Sequence, residues 1–296
     1  MTHPRSAVRN RPVKTRQKAL ELLRTVGTLP DDRIDLAEAA LALAVLDQPG
    51  AEPEPYRRHL AQLALDVADA TQAAGKGPLP LSTRIAALRD VLYAKHGYRG
   101  DSDTYEDLQN ANLIRVIDRR LGLPVALGIL LIHAARAQGW GILGLSFPGH
   151  FLVRMDLDGE RAILDPFDGA ARREPRELRD LLKQTAGAEA ELTPEHYTPV
   201  TNREILLRLQ NNLKLRHLRS DRADQAVEVI ENMLLFDPEN PGLWREAGLL
   251  NAHLGKLTAA IQAFETFMVQ GSKLGASPQL LHQTASLVQQ LKTRLN

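Results

Sequence analysis

Cysteine is absent from all 296 residues of the chain. This absence excludes disulfide bonds, thiolate-bound metals, iron–sulfur clusters and any cysteine nucleophile. Aromatic residues make up only 4% of the chain, so its core must consist mainly of leucine, alanine, valine and isoleucine. Lysine and arginine number 37 and aspartate and glutamate 36. No overall charge therefore favours nucleic acid or an anionic membrane as a partner, and we expect neither.

No run of apolar residues reaches the roughly 18 that a membrane-spanning helix needs. The first 20 residues carry six lysines and arginines and no acid, without the apolar segment of a secretory signal. We interpret residues 1–19 as a disordered basic tail, with a transit peptide as the alternative, and we expect a cytoplasmic protein.

Three regions with different sequence patterns follow along the chain. Residues 20–97 show helical periodicity and few strand signals. In residues 98–185, Pro124 opens a helix with an almost wholly apolar first half, and Asp158-Gly159 separates two short runs rich in branched residues. These features predict a buried helix followed by an antiparallel hairpin. We therefore predict an α+β fold that is mostly helical and has a small antiparallel sheet.

Residues 200–296 contain an internal repeat with a period of 34 residues. This period relates three pairs of residues: Ala226 and Ala260, Ile230 and Phe264, and Met233 and Phe267. The same period is typical of the tetratricopeptide helix–turn–helix. We therefore predict stacked helical repeats, whose curved surfaces generally bind proteins.

The order of the polar residues in the central region suggests a catalytic site. A buried helix is followed by a run that begins at His150 and by a second run that ends at Asp165. In papain-like and transglutaminase-like proteins, a nucleophile at a helix start is served by a histidine that a carboxylate orients. The hairpin turn between the two runs predicts that His150 and Asp165 lie close together on neighbouring strands.

Several motifs resemble the SirB-one family of bacterial proteins. They are the stretch that begins Asp118-Arg119-Arg120, Phe147-Pro148-Gly149-His150, and Leu164-Asp165-Pro166-Phe167, together with Asn110, Gly122 and Pro124. The resemblance implies a transglutaminase-like domain followed by tetratricopeptide repeats, and no assigned reaction.

Alignment with active transglutaminases places the nucleophile at Pro124 or Val125. Neither side chain is nucleophilic, and because the chain has no cysteine, a shift of the alignment does not supply one. Ser146 is a weak substitute because it precedes His150 on the strand side. The vestigial pair His150 and Asp165 is then open to a structural, a ligand-binding or a hydrolytic role.

The remaining polar groups are weaker candidates. The resemblance and the charge pattern suggest four binding residues, for which internal pairing is the alternative: Asn110, Asp118, Arg119 and Arg120. The acid-rich loop that begins at Asp101 lacks the glycine and terminal glutamate of a calcium loop, which favours a solvated loop. No histidine spacing typical of a metal site and no glycine-rich nucleotide motif occurs, so we expect no metal and no cofactor.

Two functional hypotheses from different classes follow. The first is a non-catalytic interaction or regulatory protein that binds a protein or peptide through its repeats. The second is a papain-superfamily-like hydrolase or amide-processing enzyme with an unconventional nucleophile. A regulator that acts on transcription through the basic tail is a weaker third hypothesis.

Overall fold

The computed structural model describes residues 5–72 and 77–295, with side chains from residue 13 onward. The chain divides into two compact units. The first comprises Pro30–Leu209 together with the chain up to Leu22, and the second comprises Leu23–Leu29 and Gln210–Asn296. The predicted α+β class, mostly helical with one small antiparallel sheet, is confirmed.

The N-terminal part of the chain is helical, as predicted for residues 20–97. Its helices are α1 (Arg5–Thr28), α2 (Leu36–Asp47), α3 (Glu54–Gln72) and α4 (Leu81–Arg89), and a π-helical turn over Asp90–Lys95 continues α4. Asp35 caps α2, since its side chain accepts a hydrogen bond from the Glu38 backbone N–H.

The structure describes part of residues 1–19, the segment that we predicted to be a disordered basic tail. Residues 5–19 belong to α1, whereas residues 1–4 lie outside the described residues. Ala19, Leu23 and Val26 are buried at helical spacing. Lysine, arginine and glutamine are good helix formers, so the helix extends into the charged segment despite its repulsion.

The sheet of the first unit has five antiparallel strands: β3 (Ile142–Leu145), β4 (Leu152–Leu157), β5 (Glu160–Asp165), β6 (Ala171–Arg172) and β7 (Pro199–Val200). Their order across the sheet is β6-β5-β4-β3-β7. Asp158 and Gly159 adopt positive φ angles of 49° and 86° between β4 and β5, which confirms the predicted tight hairpin. A separate parallel pair joins β1 (Arg99–Gly100) and β2 (Leu121–Gly122).

The helix α6 (Pro124–Arg136) is the buried helix that the sequence predicted. Eleven of its 13 residues are buried, so it is apolar on every side. The short helix α5 (Leu113–Arg119) precedes it, and α7 (Pro175–Ala186) lies between β6 and β7 in the chain. The strand β7 belongs to the sheet although it lies beyond the predicted range of 98–185. An edge strand of two residues gives no sequence pattern, so the sequence did not predict it.

The second unit contains the repeat helices. Beyond α8 (Asn202–Arg219), which begins in the first unit, they are α9 (Ala223–Phe236), α10 (Pro241–His253), α11 (Leu257–Lys273) and α12 (Pro278–Leu295). All six residues that the 34-residue period paired are buried. A β-carbon on Gly248 would lie 2.6 Å from the Phe264 ring, so this glycine lets α10 and α11 approach closely.

Candidate functional site

His150 and Asp165 are brought together by the hairpin between β4 and β5. Val153 pairs with Leu164, so Asp165 at the end of β5 lies opposite the start of β4. His150 lies in the turn just before β4 rather than on the strand itself. Its Nε2 is 2.8 Å from Asp165 Oδ1, and 11% of its side chain is exposed.

Asp165 is held by more groups than His150 alone. Its Oδ1 also accepts the Phe167 backbone N–H, and its Oδ2 accepts Nε and Nη2 of Arg173 at 3.2 and 2.9 Å. Burial by itself would raise the pKa of Asp165, but the hydrogen bonds and charges of His150 and Arg173 outweigh it and lower the pKa. Because an ionised carboxylate only accepts, His150 Nε2 carries the proton that they share.

The turn that carries His150 is fixed from two sides. Arg208 Nη2 donates to the carbonyl of Phe147 at 2.8 Å and to the carbonyl of His150. Thr185 Oγ1 donates to the Pro148 carbonyl at 2.9 Å. Gly149 has φ 69°, a conformation that favours glycine. The backbone of the turn is therefore preorganised, and the imidazole is placed by α7 and the beginning of α8.

The residues that follow His150 and Asp165 pack against α6, the helix at whose start the sequence analysis placed the missing nucleophile. A β-carbon on Gly128 would lie 2.4 Å from the Phe151 ring and 3.6 Å from Pro166. Phe151 and Pro166 directly follow His150 and Asp165. The glycine therefore lets α6 pack closely against the residues that directly follow His150 and Asp165.

The first turn of α6 offers no nucleophile. Pro124 occupies its first position, and Val125 is 2% exposed. Ser146 is exposed after β3, and its backbone N–H donates to the Thr198 carbonyl. The structure pairs His150 with a carboxylate and an aromatic neighbour: the ring centroids of His150 and Phe167 are 6.0 Å apart at 89°.

Two of the predicted binding residues, Asn110 and Arg119, take part in an internal network, and their binding role stays a prediction. Asn110 is fully buried; its Nδ2 donates to the Thr104 carbonyl and its Oδ1 accepts Arg119 Nη1. Arg119 Nη2 donates to Asp101, which also accepts the backbone N–H and hydroxyl of Thr104. Burial of Asp101 opposes ionisation, but these hydrogen bonds lower its pKa to about 2. Asp101 is therefore part of a closed turn, whereas Asp103 and Glu106 of the same loop are exposed, as expected for a solvated loop.

The other two predicted binding residues contact α3. Asp118 Oδ2 accepts the hydroxyl of Tyr56 at 3.2 Å. Arg120 ends α5 in the left-handed conformation, with φ 61°, and its Nη1 is 2.7 Å from His59 Nε2. Arg120 also donates to the buried Tyr98 hydroxyl. A binding role for these side chains stays a prediction.

A second polar cluster lies next to Arg120. The His59 and His96 rings meet edge to face with centroids 5.4 Å apart, and His96 Nε2 is 2.6 Å from Asp66 Oδ2. Burial first, and then the charges of Arg120 and His96, lower the pKa of His59 to about 4. Since arginine only donates, His59 Nε2 accepts from Arg120 and the ring is neutral.

Sequence reasoning did not find several of these residues. Arg173 follows Asp165 by eight residues, so a cation just after the strand end was a usable signal. Asp101 and Thr104 show the spacing of a side-chain-capped turn. Arg208 and His59 gave no signal, because the partners named here lie 37 or more residues away along the chain.

Comparisons with known proteins agree with this geometry. A family model described as the transglutaminase-like superfamily matches residues 54–211, and a tetratricopeptide repeat model matches residues 213–296. The chain belongs to the transglutaminase-like superfamily. The predicted order of a transglutaminase-like domain followed by tetratricopeptide repeats is confirmed.

Bacterial relatives of this transglutaminase-like protein match along most of its length. A "UPF0162 protein" of Xylella fastidiosa strain Temecula1 is 30% identical over 85% of this chain and 89% of its own length. A "UPF0162 protein" of Vibrio cholerae is 32% identical over 80% of this chain and 86% of its own. "Protein SirB1" of Salmonella typhimurium is 27% identical over 63% of this chain and 70% of its own, in agreement with the resemblance to that family.

Among the described residues, no helix combines the length and the apolar character needed to cross a membrane.

Proposed function

We propose that this protein is a non-catalytic, protein-binding member of its superfamily. The absence of cysteine from the whole chain carries the proposal, because an active transglutaminase-like site needs a thiolate at the start of the helix that α6 represents here. Two buried side chains without nucleophilic atoms, those of Pro124 and Val125, occupy that place. In this proposal the repeats bind a partner protein in the cytoplasm.

The surroundings of His150 support a structural role for the pair. A buried carboxylate costs free energy unless it is paired, and Asp165 is paired with both His150 and Arg173. The hydrogen bonds join the turn before β4, the end of β5 and the segment that leads to α7. The pair therefore links three segments of the first unit whether or not any substrate binds.

A thiol placed at the start of α6 tests the closed character of this site. Burial raises the pKa of a thiol and blocks its access to reagents. We expect the Pro124→Cys thiol to react with iodoacetamide more slowly than a thiol at the exposed position Leu65, made by Leu65→Cys. A faster reaction that His150→Ala abolishes would show an open, histidine-activated site and would contradict the proposal.

Turnover is the direct test of the non-catalytic role. Purified protein should hydrolyse no amide, ester or peptide substrate, and it should not transfer glutamine acyl groups to amines. The variant His150→Ala is compared with the control variant Arg154→Ala. Arg154 lies on the same sheet, and its side chain donates a hydrogen bond to the exposed Asp156. Turnover that His150→Ala removes and Arg154→Ala retains would overturn the proposal.

One observation favours the hydrolase as the second candidate. His150 has the orienting carboxylate and the fixed backbone that a general base requires. Its nucleophile would then be an activated water or the Ser146 hydroxyl. Loss of turnover in Ser146→Ala would assign the serine, and turnover that persists in this variant but not in His150→Ala would assign the water.

A further inference from the structure

Two exposed leucines occupy the same position in successive repeats. Leu215 in α8 and Leu249 in α10 lie 34 residues apart, and they are 48% and 41% exposed. Leu218, one turn after Leu215, is 37% exposed. This pattern contrasts with the three residue pairs of α9 and α11 at the same period, all of which are buried.

The leucines lie among residues that share one face of each helix. Positions three and four apart on a helix are neighbours on its surface. We call the resulting surface the repeat face, and it consists of Asn211, Leu215, Leu218 and Arg219 in α8 and Arg245, Leu249 and His253 in α10.

An ion pair holds these two helices next to each other. Lys214 Nζ donates to Glu246 Oε2, and Lys214 is itself buried. Lys214 directly precedes Leu215, and Glu246 lies one turn before Leu249. The leucines of the two repeats therefore lie near this ion pair, on the two helices that it connects.

The exposure of this surface needs an explanation. Among the described residues, eight large apolar side chains are exposed, and the repeat face holds three of them. Isolated exposed leucines are ordinary, whereas a group repeated on adjacent helices is typical of an interaction site.

The charge of the repeat face selects the partner. Its seven positions include Arg245 and His253 and no aspartate or glutamate. Glu246, one turn before Leu249, is paired with Lys214. We infer that the repeat face binds an acidic amphipathic helix of a partner protein, which inserts leucine-type side chains between flanking carboxylates. This inference rests on the proposed protein-binding function and gives the chemistry of its partner.

Synthetic peptides test this chemistry on the full-length chain. The first is a helical peptide of about 20 residues, with leucines at spacings of three and four and glutamates on the flanks. The second replaces each glutamate with lysine, and the third replaces each leucine with serine. We expect fluorescence anisotropy to detect binding of the acidic leucine peptide, and binding of both control peptides to be weaker by about tenfold or more.

Variants locate the binding on the surface. Leu249→Ser and Arg245→Glu should each weaken binding of the acidic peptide by about tenfold, as expected for residues central to an interface. The matched control is Leu65→Ser, because Leu65 is a 58%-exposed leucine on α3, outside the repeats. Circular dichroism melting of each variant verifies that the fold is retained.

Three outcomes decide the inference. Preference for the acidic peptide that Leu249→Ser removes supports it. Equal binding of the acidic and the basic peptide, or unchanged binding by Leu249→Ser, overturns it. Capture of a native partner that the Leu215→Ser, Leu249→Ser double variant retains overturns the repeat face while leaving the proposed protein-binding function intact.

Discussion

At the scale of single residues, the surroundings of a histidine decide what its imidazole does. His150 donates to a carboxylate that Arg173 and a backbone N–H also hold, whereas His59 accepts from an arginine. The two rings are the same chemical group. The first is fixed as a donor and the second as a neutral acceptor, so substitution of each has a different consequence.

Removal of the His150 side chain should destabilise the first unit. His150→Ala leaves Asp165 Oδ1 with the Phe167 N–H alone. A buried acceptor that loses a partner costs about 1–3 kcal/mol, and we expect a loss of that size in the free energy of unfolding measured with urea. His282→Ala is the matched control, since His282 is exposed on α12. Equal unfolding midpoints for both variants would refute a structural role for the pair.

His59 should make stability depend on pH. Its pKa is about 4 in the folded protein and near 6.5 in the unfolded chain, so between these values the unfolded chain binds the proton and the folded one does not. The free energy of unfolding should therefore fall as the pH is lowered from about 6.5 to about 4, and His59→Gln should flatten that decline. An unchanged pH profile in His59→Gln, compared with His253→Gln at an exposed site, would contradict this assignment.

At the scale of elements, small residues determine how closely helices pack. Because Gly128 has no side chain, the Phe151 ring packs directly against α6. Gly248 likewise lets the Phe264 ring pack against α10. The first repeat has Lys214 where the second has Gly248, and it satisfies the buried ammonium group with Glu246. Position within the repeat therefore predicts burial, whereas the chemistry at that position differs between repeats.

Ala260→Leu should disrupt the packing of α11. Ala260 is fully buried in the cluster that also contains Ile261, Phe264, Val288 and Leu291. Extra methyl groups in a well-packed core cost about 1–3 kcal/mol, which chemical denaturation would detect as a lower midpoint. Gln262→Leu on the exposed side of α11 is the control and should leave the midpoint nearly unchanged. A neutral Ala260→Leu variant would mean that α11 packs differently.

At the scale of the whole molecule, segments distant in sequence build one unit. Residues 23–29 at the end of α1 cluster with the repeats rather than with the residues that follow them. A β-carbon on Gly27 would lie 2.5 Å from the carbonyl oxygen of Leu235 in α9. The repeat unit therefore includes a helical segment that precedes it by about 180 residues, and no repeat period predicts this.

Gly27→Ala should destabilise the protein although alanine favours helix. The substitution gains up to about 1 kcal/mol of helix propensity. The clash with backbone oxygen cannot be relieved by rotating a side chain, and we expect overpacking of about 1–3 kcal/mol to exceed the gain. Thermal unfolding measures the difference, with Gly77→Ala as control because nothing lies within 4 Å of that position. A higher melting temperature for Gly27→Ala would disprove the close contact.

The sequence by itself determined the features that depend on neighbouring residues. Apolar periodicity determined the buried helix α6, the Asp158-Gly159 turn determined the hairpin, and the 34-residue period determined the buried faces of α9 and α11. Since a two-residue turn fixes strand register, it also determined that His150 and Asp165 meet. These features follow from local backbone preferences and from the burial of regularly spaced side chains.

Only the tertiary structure decided which polar groups hold the candidate site. Arg208 fixes the His150 turn from 58 residues away, and Arg120 holds His59 from 61 residues away. The short edge strand β7 likewise exists only because β3 offers it hydrogen bonds. A charged side chain in a sequence has many possible partners, and packing of the apolar core selects which of them comes within hydrogen-bonding distance.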